Sequence, residues 1–154
     1  KEMLGLRRIN PDVAIEKNTW FHLGINSCED MLYSLRRICD PCVEHIDNSF
    51  VPLDKERVKE FLPLRDTLLY LLKRVCGVIS AGDFTDVQKL NEQCDAFKHC
   101  LSQTRDEQMA RMQAGRENIT VSYVYLNILQ ETQEMASSLK HMLRAARHFS
   151  EGRA

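Results

Sequence analysis

The sequence is poor in the residues that interrupt regular structure. Its 154 residues include only four prolines and six glycines, and long stretches contain neither. A β-sandwich needs a turn roughly every 8–12 residues, and such turns are rich in these two residue types. Their scarcity argues against an all-β fold and favours long helices.

The sequence also lacks strong charge and long apolar runs. Lys and Arg number 21 against 22 Asp and Glu, so no basic excess indicates a nucleic-acid partner. No run approaches the roughly 18 apolar residues of a membrane-spanning helix, and no segment has the pattern of a signal peptide. With 44% hydrophobic residues, the composition is typical of one globular domain.

Catalytic motifs are a third absence. The chain contains no glycine-rich nucleotide loop and no GxSxG of the serine hydrolases. Di-iron bundle enzymes need a Glu three residues before a His, and none of the five histidines has an acid there. The sequence therefore predicts no enzyme, no cofactor and no small-molecule substrate.

Four segments carry apolar residues at alternating steps of three and four, which is typical of amphipathic helices. Proline and glycine positions and candidate caps predict where these helices begin and end. A Thr85–Gln88 capping box is expected at the start of the third helix. The first helix is predicted to start after Asn18 or Thr19 and to end near Asp47, and the second to start at Asp54. The third is predicted to start at Phe84 and to stop at Gly115, and the fourth to start near Asn118 or Thr120.

The first helix carries the most regular pattern, with apolar steps of 4, 3, 4, 3, 4, 3 and 4. This unbroken a/d spacing predicts the buried face of the helix. Three of its members are cysteines, which pack as small hydrophobes, so they are expected to be buried and reduced. All the apolar residues of this pattern together are called the first-helix stripe: Phe21, Ile25, Cys28, Leu32, Leu35, Cys39, Cys42 and Ile46.

Short loops between the four helices imply antiparallel neighbours. The prediction is an all-α, up-down-up-down antiparallel four-helix bundle over residues 19–154. Residues 1–18 carry Lys1, Arg7 and Arg8 and are expected to be a lead-in or linker rather than core.

One motif invites a chemical interpretation. Cys39, Cys42 and His45 in "CDPCVEH" are three potential metal ligands, but no second pair completes the four of a zinc site. A redox dithiol needs a lowered thiol pKa at a helix start, and this pair lies within a helix. Core packing is favoured, and no metal site is predicted. A metal site and a redox site stay open as alternatives.

Three apolar side chains fall outside the stripes of their helices. Tyr33, Met109 and Tyr123 are therefore candidates for contact with a partner, since aromatic residues and Met are common anchors. Single exposed apolar residues are also normal on any surface.

Two stretches resemble a known family. They are "WFHLGINSCEDMLYSLRRICDPCVEHIDNSFVPL" and "QMARMQAGRENITVSYVYLNILQETQEMASSLKHML", with "HIDN" before Pro52 and Leu53, and "RMQAG" before the last helix. They are similar to the PhoU-like cytoplasmic domains at the C-terminus of bacterial phosphate permeases and sodium/phosphate cotransporters. The resemblance spans most of residues 19–149.

The resemblance implies a regulatory or assembly domain of an inorganic phosphate transporter, at the cytoplasmic face of the inner membrane. Its partners would be the membrane transport domain of the same longer chain and a second copy in a homodimer. The basic lead-in and the missing initial Met agree with a domain that follows a membrane segment. Metal-binding members carry ExxxD on the last helix, where this chain has Gln133 and Ser137, so no metal is carried over.

Two alternatives to the transporter interpretation remain. The chain could be a free-standing helical adaptor, or a metal- or thiol-dependent enzyme that uses Cys39, Cys42 and His45. Membrane-spanning segments encoded before the domain would favour the transporter, and stoichiometric metal would favour the enzyme. The transported ion, the coupling ion and any effector are not specified by these residues.

Overall fold

The computed structural model describes residues 11–48 and 51–152. This part of the chain contains helices and no strand. The helices are α1 (Pro11–Asp47), α2 (Lys55–Ala81), α3 (Val87–Gln113) and α4 (Ile119–Glu151). The predicted all-α four-helix bundle is confirmed.

Local capping bonds set several helix ends where the sequence predicts them. The Asp54 carboxylate accepts the backbone N–H of Arg57 at 2.8 Å and starts α2. Asn118 accepts the N–H of Val121 at 3.2 Å and starts α4. Gly115 follows α3 with φ of 68°, a left-handed conformation that glycine adopts without strain.

The predicted capping box of α3 is wrong. Thr85 donates its backbone N–H and its hydroxyl to Asp83 instead of capping the helix. Gln88 donates to Glu92 one turn later. The helix therefore begins at Val87, after a turn that is organised by the Asp83 carboxylate.

The predicted start of α1 is also wrong. The helix begins at Pro11, since proline at the first helical position loses no intrahelical hydrogen bond. The Thr19 hydroxyl bonds to the carbonyl of Ile15 at 3.1 Å, as a residue inside a helix does, so Thr19 is no cap. Ala14 is buried. Residues 11–18 of the predicted lead-in thus belong to the helix, and residues 1–10 lie outside the described residues.

Helix α4 occupies the centre of the arrangement. It contacts α1, α2 and α3, and α2 also contacts α3. Among the described helices, α1 approaches only α4 to within 8 Å between Cα atoms. The pairs Cys28–Met142 and Arg37–Glu131 show that α1 and α4 are antiparallel.

The main core lies between α2, α3 and α4. The apolar residues that recur in steps of three and four along α3, here called the α3 stripe, are buried as this pattern predicts: Val87, Leu90, Cys94, Phe97 and Leu101. Proline inside a helix disturbs the preceding turn, so the apolar pattern of α2 is expected to restart at Pro63 with Arg65 facing outward, and Arg65 is exposed. The apolar pattern of α2 predicts a buried stripe of Phe61, Leu64, Leu68, Leu72, Val75 and Ile79. Leu71 is outside this stripe, but it is buried more deeply than all of these residues except Val75. The buried apolar residues of this core are Leu64, Leu71, Val75, Val87, Leu90, Cys94, Phe97, Leu101, Tyr125, Leu129, Ala136, Leu139 and Leu143.

A network of polar side chains ties one end of this core together. The Tyr125 hydroxyl donates to Glu60 at 2.7 Å, and Arg111 donates to the same carboxylate at 3.0 Å. Arg57 donates to Glu117 at 3.0 Å, and Arg111 lies 3.3 Å from Glu117. Two positive and two negative charges thus balance where α2, α3 and α4 meet. Burial, and then the bond to Glu60, raise the pKa of Tyr125 well above its usual range, so its hydroxyl stays protonated.

Small side chains allow α1 to lie close to α4. Ser27 and Ser34 of α1 are buried, as are Ser138 and Ala145 of α4. A Cβ atom at Gly24 would stand 3.7 Å from the Cβ of Ala145, which is ordinary contact distance. The most buried residues of α1 in this interface are therefore small, whereas Leu32, Leu35 and Ile46 are exposed.

Polar bonds fix the position of α1 along α4. Arg37 donates to Glu131 at 2.9 Å, and the Asn127 side-chain amide donates to the carbonyl of Arg37 at 2.7 Å. Glu131 is buried, so its pairing offsets the desolvation of its charge.

We expect Leu139→Ala to lower the free energy of unfolding by about 3 kcal/mol, because it leaves a cavity among fully buried neighbours. The matched control is Leu69→Ala on α2, where Leu69 is 46% exposed and the cost should stay below about 1 kcal/mol. Urea unfolding followed by circular dichroism measures both. Equal costs would contradict the placement of Leu139 in the core.

Candidate contact surface

The first-helix stripe lies on the surface of the chain. Leu32 is 67% exposed and Ile46 is 72% exposed, and Phe21, Ile25 and Leu35 are exposed as well. The prediction that the stripe is the buried face of α1 is wrong. Among the described helices, α1 packs only against α4, and the small-residue face makes that contact.

The stripe cysteines follow the same correction. Cys28 and Cys39 are exposed and Cys42 is half-buried, so the expected burial of all three is wrong. The described cysteines are free thiols, with no disulfide among them. The Cys28 sulfur lies 3.4 Å from the sulfur of Met142 at the edge of α4.

An apolar groove opens beside the N-terminal half of the stripe. It has a volume of about 580 Å³ and lies between α1, the end of α2 and the C-terminal half of α4. The Phe21 and Phe149 rings are 6.2 Å apart, and the Lys17 ammonium is 5.4 Å from the Phe149 ring centre. The main apolar lining residues are Trp20, Phe21, Ile25, Ile79, Phe84 and Met142.

An aromatic stack anchors the same end of α1. The Trp20 ring stacks on the His148 ring at 4.2 Å with an interplanar angle of 13°. The Arg144 guanidinium lies 5.7 Å from the Trp20 ring centre. Trp20, which lines the groove, is therefore held in place by its contacts with His148 and Arg144 of α4.

Charged residues flank the middle of the stripe. Glu29, Leu32, Tyr33 and Arg36 line a shallow depression there. Arg36 donates to Asp40 at 3.2 Å, and both side chains are largely exposed. Exposed ion pairs of this kind contribute little to stability and are easily exchanged for other partners.

The predicted anchors are distributed over three helices. Tyr33, Met109 and Tyr123 are all exposed, as contact residues must be. Tyr33 lies beside Leu32 of the stripe, whereas Met109 is on α3 and Tyr123 is on α4. A contact role stays a prediction for each of them.

The structure does not bring Cys39, Cys42 and His45 together as a metal site. Cys39 is exposed, and the His45 side chain is buried with Nε2 2.8 Å from the carbonyl oxygen of Val51. Burial, with a smaller effect from Cys39, raises the pKa of the Cys42 thiol, which disfavours the thiolate that redox chemistry needs. Within residues 11–48 and 51–152, no group of three His, Cys, Asp or Glu side chains is arranged to hold a metal ion.

A polar cleft between α3 and α4 is a feature that the sequence interpretation missed. It has a volume of about 460 Å³, and its lining includes Lys98, His141 and Arg144. Other cations there are paired, Lys140 with Asp95 and Arg147 with Glu151. Lys140, Arg144 and Arg147 fall late in α4, where the sequence alone indicates only that cations suit the helix dipole. The packing of α3 shows that they line a cleft.

Comparison with protein-family models, with curated proteins and with solved structures gives no match to this chain. The resemblance to PhoU-like domains therefore rests on the two sequence stretches alone. Across the described residues, no helix combines the length and the apolar character needed to cross a membrane.

The different environments of the cysteines predict different reaction rates with a maleimide. We expect Cys76 and Cys100, which are exposed, to react much faster than Cys94, which is fully buried and whose pKa is raised by burial. Mass spectrometry of timed samples gives the rate at each site. Equal rates at Cys94 and Cys100 would show that the α3 stripe is not packed in the core.

The absence of ExxxD at Gln133 and Ser137 leads to a prediction about metal content. Protein purified without a chelator should contain far less than one transition-metal ion per chain. Elemental analysis measures this ratio. One zinc or iron ion per chain would favour the enzyme alternative and would direct attention back to Cys39 and Cys42.

Proposed function

We propose that the chain is a cytoplasmic regulatory or assembly domain of an inorganic phosphate transporter that acts by protein contact and performs no catalysis. The observation that carries the contact role is the exposed first-helix stripe with its adjoining groove. Five large apolar residues on one helix face are exposed: Phe21, Ile25, Leu32, Leu35 and Ile46.

Physical chemistry supports a binding role for this face. Contiguous exposed apolar surface is costly in water, and large patches on a folded chain mark sites of association. A helix with regularly spaced apolar residues beside a groove is a common mode of helix recognition. The same face offers no buried nucleophile–base pair, so contact is the activity that fits its chemistry.

The transporter part of the proposal is supported by the sequence resemblance. The resemblance implies two partners, the membrane transport domain of the same longer chain and a second copy of this domain. It also implies a location at the cytoplasmic face of the inner membrane. A free-standing adaptor would use the same exposed face, so the two proposals differ in the partner and not in the surface.

The reading frame of the gene separates these two proposals. The transporter requires membrane-spanning segments in the same reading frame as this domain, and the adaptor requires none. Sequencing of the full gene decides between them.

Deletion of residues 11–154 tests the regulatory role in the longer protein. We expect phosphate uptake to persist while its response to external phosphate, or the amount of assembled transporter, changes. Uptake of radiolabelled phosphate by membrane vesicles and a native gel measure the two. A deleted transporter that assembles and responds as the intact one does would show that the regulatory proposal is wrong.

A pair of point variants tests whether the stripe carries this role. Leu35 and Leu23 lie on the same helix and are 46% and 45% exposed, but Leu23 is outside the stripe. We expect Leu35→Glu to reproduce the effect of the deletion on uptake or assembly, and Leu23→Glu to leave both unchanged. The same response from both variants would remove the stripe from the proposal.

A further inference from the structure

We infer that the first-helix stripe is the interface of a homodimer in which two α1 helices pair antiparallel about a two-fold axis. The inference deepens the proposed function, since it rests on the stripe being a contact surface, and it names a second copy of this chain as the occupant. Spacing, flanking charges and the position of the groove carry it.

The spacing of the stripe matches a paired helix. Its apolar residues alternate in steps of three and four from Phe21 to Ile46, which is the a/d pattern of a two-helix seam. The seam spans 26 positions of α1, or about 39 Å. Helix α4 packs on the neighbouring face of α1, where Ser27 and Ser34 are buried, and no other described helix covers the seam.

The flanking charges select the antiparallel direction. Glu29 and Arg36 occupy equivalent positions on the open side of the stripe, one heptad apart. An antiparallel pair brings this side of one helix against the same side of the other. Glu29 then meets Arg36 of the partner subunit, twice per dimer. A parallel pair would set these charges against the opposite flank, where Gly24 and Met31 offer no charge.

Full overlap of the two stripes sets the register. The stripe is symmetric about the point between residues 33 and 34, so antiparallel overlap places each member opposite another member. A shift by one heptad would leave an end of each stripe in water, which loses apolar burial. The facing pairs are Leu32 with Leu35, Cys28 with Cys39, Ile25 with Cys42, and Phe21 with Ile46.

The groove accommodates the C-terminal half of the partner helix. Phe21, Ile25 and Cys28 belong both to the stripe and to the lining of the groove. In this register they face Ile46, Cys42 and Cys39 of the partner subunit. The partner helix thereby fills the open space between α1 and the end of α2. Because the dimer is two-fold symmetric, the groove of each subunit is filled in the same way.

Light scattering coupled to size exclusion tests the association. The unmodified chain should elute as a dimer. Leu35→Glu should raise the dimer dissociation constant by at least about 100-fold, because it buries an unpaired charge. Leu23→Glu should leave it unchanged, and circular dichroism confirms that both variants fold. A monomeric chain, or equal dissociation constants for the two variants, would overturn the inference.

Cross-linking with a short bis-maleimide tests direction and register. Cys28 and Cys39 of one chain are about 16 Å apart along the helix, too far for such a linker, but each faces the other residue on the partner subunit. The expected product is a covalent dimer joined from Cys28 to Cys39, located by mass spectrometry of the peptides. A dimer joined from Cys28 to Cys28 would indicate parallel helices and overturn the proposed arrangement.

Two control variants sharpen this experiment, one without Cys39 and Cys42 and one without Cys28. Cys39→Ser combined with Cys42→Ser should abolish the cross-link, and so should Cys28→Ser. The exposed Cys76 and Cys100 should react with a monofunctional maleimide faster than Cys28 and Cys39 once the dimer forms. If Cys28 and Cys39 react as fast as Cys100 at dimer concentrations, the stripe is not the interface.

The two proposals fail separately. A strictly monomeric domain whose deletion still alters phosphate uptake would overturn the dimer and leave the regulatory role. A dimer with the Cys28–Cys39 link, in a transporter that does not need residues 11–154, would support the dimer and overturn the regulatory role.

Discussion

The close approach of α1 to α4 through small side chains is the contact on which the exposed surface depends. Ser27 and Ser34 of α1 are buried, as are Ser138 and Ala145 of α4, and the Arg37–Glu131 pair sets the position along the helix. A helix can turn only part of its circumference toward one neighbour. Once this face is buried, the stripe about a quarter-turn or more away must remain in water or find another partner.

Helix α4 has to serve two interfaces at once. One side joins α2 and α3 through Leu129, Leu139 and Leu143, and another side meets α1. Its buried residues include polar ones such as Glu131, whose buried charge is paired with Arg37 across the interface. The charge-balanced network around Glu60 and Arg111 joins α2, α3 and α4 at one end of the core.

The core of α2, α3 and α4 and the outer face of α1 differ in how much apolar surface they bury. The core between α2, α3 and α4 holds the fully buried leucines. Helix α1 packs along α4 and leaves several of its large apolar residues exposed. Exposed apolar surface of this kind is unfavourable in water, and its burial on association is favourable. Under the proposed function, the stripe and its groove are the surface through which a partner would be recognised.

The sequence by itself determined the features that depend on near neighbours. The helix ends at Asp54 and Asn118 follow from bonds that span three residues, and Gly115 follows from a backbone conformation that glycine tolerates. The burial of the α3 stripe could be predicted because α3 has a single strong apolar face and that face packs in the core. Only the tertiary structure decided which face of α1 is buried. Periodicity shows that an apolar face favours burial, but it does not show whether the partner is in the same chain, and the small residues that fit against α4 have too little apolar surface to stand out in a sequence.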